Sequence, residues 1–252
     1  MRATLLEIRP ITGRDICYVF RCPQVAAAAR PGQFVELKLT EGYQTPFLRR
    51  PISIFDTDGQ ETFSLLVRTV GEGTTAMMVW PVGHSVDVLG PLGNGFTWND
   101  HHQTCLLVAG GIGLAPLALS ARRLLEEGKR VRLLFSPRRD QALLEALPFQ
   151  DRLEVATSEN RAALATTLES LLEGTDLLLA CGPEGLLETA ARCAMAHGVP
   201  SQLSMERRMA CGIGICLGCA ITIRTNGELT YKKVCKDGPV FSGEEVAFHE
   251  TP

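Results

Sequence analysis

Along the first hundred residues, apolar and polar positions alternate in short runs. Residues 34–39, 63–70 and 86–89 change face from one position to the next, which is the two-residue period of a half-buried strand. Turn chemistry falls between the runs, at Pro31-Gly32, Asp58-Gly59, Pro81-Val82-Gly83 and Gly90-Pro91. These residues supply the fixed or positive φ angles that tight connections need. The spacing predicts an antiparallel sandwich or small β-barrel over residues 1–99. From about Thr104 the period changes: the apolar run 105–109 is followed by a glycine cluster, then by apolar residues at helical spacing over 114–127, with Gly128 as a stop. Runs 131–135, 153–157 and 177–180 read as further short strands, with helical stretches at 162–172 and 184–197 and a stop at Gly198 and Pro200. This alternation predicts a Rossmann-like parallel α/β sheet, covered on both faces, over residues 100–205. Beyond residue 206 the rhythm breaks. Residues 206–252 are rich in Cys and Gly and keep only short β-like pieces around 220–223 and 229–231, so they read as a third, small lobe.

Composition adds limits to this β plus α/β plan. A chain of 252 residues exceeds one small module at the usual ~100 to 200 residues per domain. Hydrophobic residues make up 45% and charged residues 21%, an ordinary globular balance rather than a disordered one. The formal charge is -3 and no run of five or six basic residues occurs, so the electrostatic footprint of a nucleic-acid binder is missing. The uncharged stretch 105–121 has 17 residues interrupted by Gly110, Gly111, Gly113 and Pro116, short of the roughly 18 to 20 continuous apolar residues that span a bilayer. The first ten positions carry Arg2, Glu7 and Arg9 and no apolar core of a secretory signal, so a cytoplasmic protein is expected. Nine cysteines in such a compartment favour metal ligation over disulfides.

Four of those cysteines are grouped. Cys211, Cys216 and Cys219 form C-x4-C-x2-C, and Cys235 follows after fifteen intervening residues, the spacing of plant-type [2Fe-2S] ligation. A loop can wrap a cluster closely only where side chains are absent, and Gly212, Gly214 and Gly218 provide such positions. A structural zinc site is the competing reading. It usually shows two short Cys-x2-Cys knuckles, whereas only Cys216 and Cys219 make one here. Cys17, Cys22, Cys105, Cys181 and Cys193 are scattered singly and read as small buried hydrophobes.

Glycine marks a second kind of site. Gly110, Gly111 and Gly113 join a predicted strand to a predicted helix, with Pro116 in its first turn. At such a junction a pyrophosphate can approach the backbone and the N–H groups of the helix start. Cys181-Gly182-Pro183 ends a later strand in the same way. A tight turn with no ligand is the alternative, because the pattern is not G-x-G-x-x-G. After run 131–135 comes Ser136-Pro137-Arg138-Arg139-Asp140 rather than a lone acid for an NAD ribose. Arg138 and Arg139 either meet a 2′-phosphate or stand as solvated loop charges, which leaves NAD and NADP both open.

Arg49-Arg50-Pro51-Ile52-Ser53-Ile54, taken alone, would be an edge strand with a proline. Followed by Val70-Gly71-Glu72-Gly73-Thr74 and then by the two glycine junctions, it resembles the R-P-x-S, G-x-G-T, G-G-x-G-x-x-P and C-G-P motifs of the ferredoxin reductase superfamily. With Met209-Ala210-Cys211-Gly212-Ile213-Gly214 and the run from Cys235 to Phe241, the chain is most similar to the electron-transfer subunits of the two-subunit, NAD-dependent dihydroorotate dehydrogenases. The resemblance covers essentially the whole chain, in order.

That resemblance implies a role for each motif. Arg50, Pro51, Ile52 and Ser53 would contact FAD and its phosphate, with Leu66, Val67 and Arg68 beside the flavin and Gly73 and Thr74 at the pyrophosphate. Gly110, Gly111 and Gly113 would face NAD as co-substrate, with Cys181, Gly182 and Pro183 bordering its nicotinamide half. Cys211, Cys216, Cys219 and Cys235 would ligate the [2Fe-2S] cluster. The partner implied is an FMN-containing dihydroorotate dehydrogenase catalytic subunit, in a heterotetramer of two of each, serving de novo pyrimidine biosynthesis. A reductase subunit of a hydrogenase, sulfite reductase or sulfide dehydrogenase complex is the alternative, since these share the three-lobe plan. No catalytic side chain is expected, because hydride transfer between stacked cofactors needs orientation more than acid or base help. The five isolated histidines, His84, His101, His102, His197 and His249, read as surface or loop residues.

Overall fold

The computed structural model describes residues 1–40, 45–136, 141–158 and 160–251. The N-terminal lobe contains β1 (Arg2–Pro10), β2 (Asp15–Arg21), α1 (Pro23–Ala28), β3 (Phe34–Lys38), β4 (Arg50–Thr57), β5 (Thr62–Arg68), α2 (Glu72–Met77) and β6 (Ser85–Leu92). Six antiparallel strands close into a barrel in the order β1-β2-β5-β4-β3-β6. Inward-facing Leu5, Tyr18, Phe20, Val35, Leu37, Ile54, Phe63, Leu65 and Val88 fill it. β1 and β2 escape the alternation read from sequence, and a register shift between Leu5 and Glu7 breaks the two-residue period of β1. The outward face of β3 is not solvated as the alternation predicts: Phe34 and Glu36 are buried at 4% and 1% exposure, because other parts of the chain cover that side of the barrel.

β4 is not an edge strand, yet half of it behaves as one. Arg50, Pro51, Ile52 and Ser53 pair with β3, while pairing with β5 runs only from Ile54 to Thr57, past a bulge. β5 meanwhile continues to Arg68 against β2. The two strands therefore part company at Ser53, and Pro51, which lacks an N–H, sits in the half paired on one side only.

The second lobe contains β7 (Thr104–Gly110), a 3-10 turn at Gly111–Leu114, α3 (Ala115–Glu126), β8 (Arg130–Ser136), β9 (Glu154–Thr157), α4 (Arg161–Leu172), β10 (Leu177–Cys181), α5 (Glu184–Ala196) and β11 (Ser201–Ser204). β7, β8, β9, β10 and β11 are parallel. Along β7, Cys105, Leu107 and Ala109 face a core shared with α3, and Leu106 and Val108 face one shared with α4 and α5. Burial on both faces is why these strands read as continuous apolar runs. α3 also locks the lobes together. Its Leu119 enters the barrel core, and Arg122 Nε lies 2.7 Å from Asp56 Oδ1 on β4.

The C-terminal segment adds β12 (Ala220–Thr225), β13 (Glu228–Lys233) and β14 (Val240–Ser242). β12 and β13 form a hairpin whose two-residue turn places Asn226 at φ 51° and Gly227 at φ 84°, the positive angles of a tight hairpin loop. β14 pairs antiparallel with β11 at the edge of the parallel sheet, so the sheet has an antiparallel sixth strand that the sequence pattern did not predict. Among the described residues, no helix is long and apolar enough to cross a membrane.

Candidate functional site

The parting of β4 and β5 opens a cavity of about 420 Å³. Arg50, Pro51, Ile52 and Ser53 form one wall, and Leu66, Val67 and Arg68 the other. Thr74 from α2 closes one end, and Ile112, Ala115 and Pro116 come from the turn before α3 and from its first residues. Eight of the residues predicted for the flavin thus share one cavity. Gly73 lies just behind, where a Cβ would stand 3.0 Å from Arg50 Nε. Arg50 donates only to the carbonyls of Leu48 and Arg49 and has no ion-pair partner among the described residues, so its fork is available to an anion such as a phosphate. Arg68 is committed differently, with Nε 2.7 Å from Oδ1 of the fully buried Asp15. The Thr74 hydroxyl accepts from Val70 N at 3.0 Å and so shapes the turn into α2.

The two glycine junctions meet each other, and the first reaches the cavity through Ile112, Ala115 and Pro116 while Gly110, Gly111, Gly113, Cys181, Gly182 and Pro183 do not line it. A Cβ on Gly110 would lie 2.6 Å from Pro183 Cδ, and one on Gly113 would fall against the carbonyl of Cys181. Gly182 adopts φ 156° and stands 3.0 Å from the Gly110 backbone by the same measure. Gly111 adopts φ 53°. The glycines therefore let two backbone segments touch along the sheet edge, which is one physical use for them before any ligand is considered. Arg138 and Arg139 lie outside the described residues.

Several residues of the cavity wall were assigned no role from sequence. Phe34, Val70, Ser204, Met205, Glu206, Arg207, Met209 and Pro239 all line it. Glu206 follows β11; the residue is exposed, yet protein crowding its carboxyl in the cleft desolvates it and raises its pKa. The Cys181 thiol, paired in register with Ser204, is pushed up by burial and then by the charge of Glu206. It is a protonated, inert thiol. Arg207 reaches away to Glu184 at the start of α5, 3.1 Å distant.

The cysteine loop lies alongside. Cys211 and Cys216 bring their sulfurs to 3.3 Å, and Cys219 Sγ accepts from the Cys235 backbone N–H at 3.4 Å. Among the described residues no three thiols, carboxylates or imidazoles surround one point closely enough to hold a metal ion. The surroundings nevertheless suit a thiolate at Cys211. The Cys216 N–H points at Cys211 Sγ from 3.4 Å, and this contact, with the N–H of Ile213, lowers the Cys211 thiol to about 6. Cys235 is pushed up to about 12 by burial and by its neighbour Cys219, against the N–H of Gly214. Four sulfurs in two adjacent pairs, with backbone donors aimed at them, fit an anionic sulfur-ligated centre. Gly212 and Gly214, at φ 66° and 84°, allow that turn. Between the cysteines, Ile213, Ile215 and Leu217 face solvent, the last two at 80% and 72% exposure.

Cys17, Cys22, Cys105, Cys181 and Cys193 are buried as expected. The histidines stay apart from the cavity: His84 stacks on Trp80, His102 accepts from Asn99 N, His197 contacts the Cys193 carbonyl, and His249 stands between Glu184 and Glu188.

Comparison with known proteins adds names to this arrangement. Residues 206–247 match the family model described as the iron-sulfur cluster binding domain of dihydroorotate dehydrogenase B. The chain is 36% identical over 222 residues to the electron transfer subunit of dihydroorotate dehydrogenase B (NAD(+)) from Caldanaerobacter subterraneus subsp. tengcongensis, covering 86% of this chain and 87% of that one. The protein of the same name from Bacillus cereus (strain Q1) is 37% identical over 238 residues, with 86% of each covered. Among solved structures, a chain of the NADH-dependent reduced ferredoxin-NADP oxidoreductase superposes with a TM-score of 0.82 at 29% identity, covering 98% of this chain and 90% of that one. Phthalate dioxygenase reductase, at 18% identity and a TM-score of 0.64 over 94% of this chain and 77% of its own, shares the fold.

Proposed function

The chain belongs to the family of dihydroorotate dehydrogenase B electron transfer subunits, and from that premise we propose that it relays electrons between NAD and a dihydroorotate-oxidising partner subunit that carries FMN. The observation that carries this reading is the shared cavity: Met209 and Pro239, which flank the cysteine positions in sequence, line the same space as Arg50, Pro51, Ile52 and Ser53. One cleft thus touches the flavin motif, the nucleotide lobe and the cysteine lobe.

FAD and a [2Fe-2S] cluster, bound to the chain, supply two-electron exchange with nicotinamide and one-electron relay. The protein's part is to bind and orient. Pro51, Ile52, Leu66, Val67, Met205 and Met209 offer apolar walls to a planar ring and keep water from it. Arg50 offers its fork to phosphate oxygens, and Ser53 a hydroxyl at the wall. Gly110, Gly111, Gly113, Cys181, Gly182 and Pro183 border the nicotinamide dinucleotide, and Cys211, Cys216, Cys219 and Cys235 hold the cluster. No side chain has to shuttle a proton for hydride transfer, in keeping with the protonated Cys181 beside the cleft. Exposed Ile213, Ile215 and Leu217 form an apolar face beside the cluster ligands, suited to docking the partner in a cytoplasmic complex of two copies of each subunit.

Replacing Cys216 by Ser tests the relay in the assembled complex. NAD-linked dihydroorotate oxidation should be lost, while turnover of the partner with an artificial acceptor should persist. Retention of both activities overturns the relay. An anaerobic visible spectrum before and after NADH, then NADPH, reports on Arg138 and Arg139: preferential bleaching by NADH makes them bystanders, and preference for NADPH gives them the 2′-phosphate.

A further inference from the structure

β5 outlasts its neighbour on one side. β4 parts from it beyond the Ile54–Leu65 pair, and residues 66–68 continue against β2 alone, ending in the pair of Asp15 with Arg68. Directly opposed residues on adjacent strands share a face, so this last pair stands together at the wall of the cavity that Arg68 lines. There the two side chains interlock. Arg68 Nε donates to Asp15 Oδ1 at 2.7 Å and Nη2 donates to Oδ2 at 3.0 Å. Asp15 is fully buried, and the Arg68 side chain is only 14% exposed. The carboxylate is itself held, since the Thr12 hydroxyl donates to Oδ2 at 2.7 Å and accepts from the Asp15 N–H at 3.0 Å.

Stability does not account for this pair. A buried ion pair costs its own desolvation, and apolar residues of similar volume would join the two strands as well or better. Arg50, on the opposite wall, shows what a different task looks like. Among the described residues it donates only to the carbonyls of Leu48 and Arg49, so its charge stays available to a phosphate. Arg68 is the reverse case. Compensated by Asp15, it adds little net charge to the cavity, and its plane is fixed by two bonds before any ligand arrives. A guanidinium held in this way suits a neutral, planar acceptor such as the carbonyl oxygens of a heteroaromatic ring, for which direction matters more than charge.

We propose that Asp15 is a positioning residue for the flavin: it fixes the Arg68 guanidinium on the cavity wall as a directed, charge-compensated donor to the ring carbonyls of FAD, with Thr12 holding Asp15 in turn. The proposal rests on the reading of this cavity as the flavin site. Asp15 does not line the cavity and acts only through Arg68. Without it, the long Arg68 side chain would have to be ordered at the moment of binding, and that loss of freedom would be subtracted from the affinity.

Titration of the full-length protein with FAD, followed by the change in flavin fluorescence and set beside thermal unfolding, tests this. Asp15→Asn should weaken FAD binding roughly 10- to 100-fold, the worth of a hydrogen bond to a charged group, with iron per chain unchanged. Arg68→Met should do the same. Each single change leaves the other partner unpaired in the wall and should also lower the thermal midpoint. The double variant Asp15→Asn/Arg68→Met leaves no charge unpaired, so its midpoint should return toward that of the parent while FAD binding stays weak. A pair that serves stability alone would recover both together, and that result overturns the proposal, as does parental affinity in Asp15→Asn. Should Asp15→Asn fail to fold, Thr12→Val, which removes one donor from Asp15 and keeps both charges, is read in its place. FAD binding weaker by roughly 2- to 10-fold then supports the proposal, and parental binding overturns it. A parent protein that binds no FAD overturns the flavin reading itself, and this proposal with it.

Discussion

Two glycine-rich segments of this chain look alike in sequence and are built for different neighbours. Gly113 is packed on backbone, since the atoms that a Cβ there would meet belong to Cys181 and Gly182, and Gly110 is closed in by Pro183, Leu186 and the Gly182 backbone. The glycines of the cysteine loop are surrounded by side chains or by space. Gly212 meets Glu36 and Gly214 meets Lys236, while Gly218 finds Cys216 Sγ at 3.6 Å and Ala210 Cβ at 3.9 Å. The first segment is a tight joint within a sheet, and the second is held against side chains at Gly212 and Gly214 and has room at Gly218. A glycine pattern announces a close approach without saying what approaches, and only the neighbours decide that.

The sharpest way to break this contrast is to add one methyl group on each side of it. Gly113→Ala must displace backbone, so it should behave as core overpacking and cost about 3 kcal/mol, a fall of roughly 6 to 12 °C in the thermal midpoint for a chain of this size. Gly218→Ala meets only ordinary contacts and should leave the midpoint of the metal-free protein nearly unchanged. Thermal unfolding of both, side by side, checks this. Equal losses would mean that the cysteine loop is as tightly packed as the sheet joint.

The same distinction explains what could be read from the sequence. The residues that the resemblance assigns to FAD carry little local signal, yet Arg50, Pro51, Ile52 and Ser53 on one strand and Leu66, Val67 and Arg68 on the next fall on facing walls of one cavity. Of the four strands and three helices read in the second lobe, β7, β8 and β10 were legible because they are buried and apolar, whereas β9 is a largely exposed edge strand. β11 and β14, with four and three residues, are too short to show a period, and β14 joins the sheet by a pairing no local signal carries. Met205 and Glu206 reach the cavity through that long-range arrangement, which is why they were missed, and Met209 and Pro239, quoted in motifs, were given no role there for the same reason. Glu36 was concealed by its own pattern, since a polar residue between two apolar ones on a strand reads as solvent-facing until something is found lying over it.

A smaller effect tests the outward side of the cysteine loop. Ile215, at 80% exposure, contributes little to the isolated chain, so Ile215→Ser should leave its thermal midpoint and its reduction by NADH unchanged. Buried in a docked complex, the same side chain is worth about 1.5 to 3 kcal/mol, or roughly 10- to 100-fold in the dissociation constant for the partner. Calorimetric or interferometric titration against the partner subunit reads it directly. Unchanged affinity would move the docking face away from the loop.

The smallest effect belongs to a turn that approaches nothing. Gly59, at φ 75°, has only Arg123 within 4 Å of a notional Cβ, at 3.8 Å, and the β4–β5 connection is held by Asp58 instead. Asp58 Oδ1 accepts from the backbone N–H groups of Gln60, Glu61 and Thr62 at 2.8 to 2.9 Å. Slight burial works against ionisation, but the Thr62 N–H and hydroxyl, followed by the Gln60 and Glu61 N–H groups, outweigh it and hold the carboxyl down to about 2 from 3.8. A folded-state pKa below the unfolded one means that the stabilisation is fully present above pH 3.8 and is lost as the pH falls through about 2. Because the group is exposed, solvent screening discounts it to about 0.5 kcal/mol. Asp58→Ala should therefore lower the midpoint by only a degree or two at pH 7, converge with the parent near pH 2, and leave flavin and iron content untouched. A loss of flavin in that variant would show that the splay of β4 from β5 depends on this turn, and that the cavity is less a property of the bulge between Ile54 and Asp56 than the strand pairing indicates.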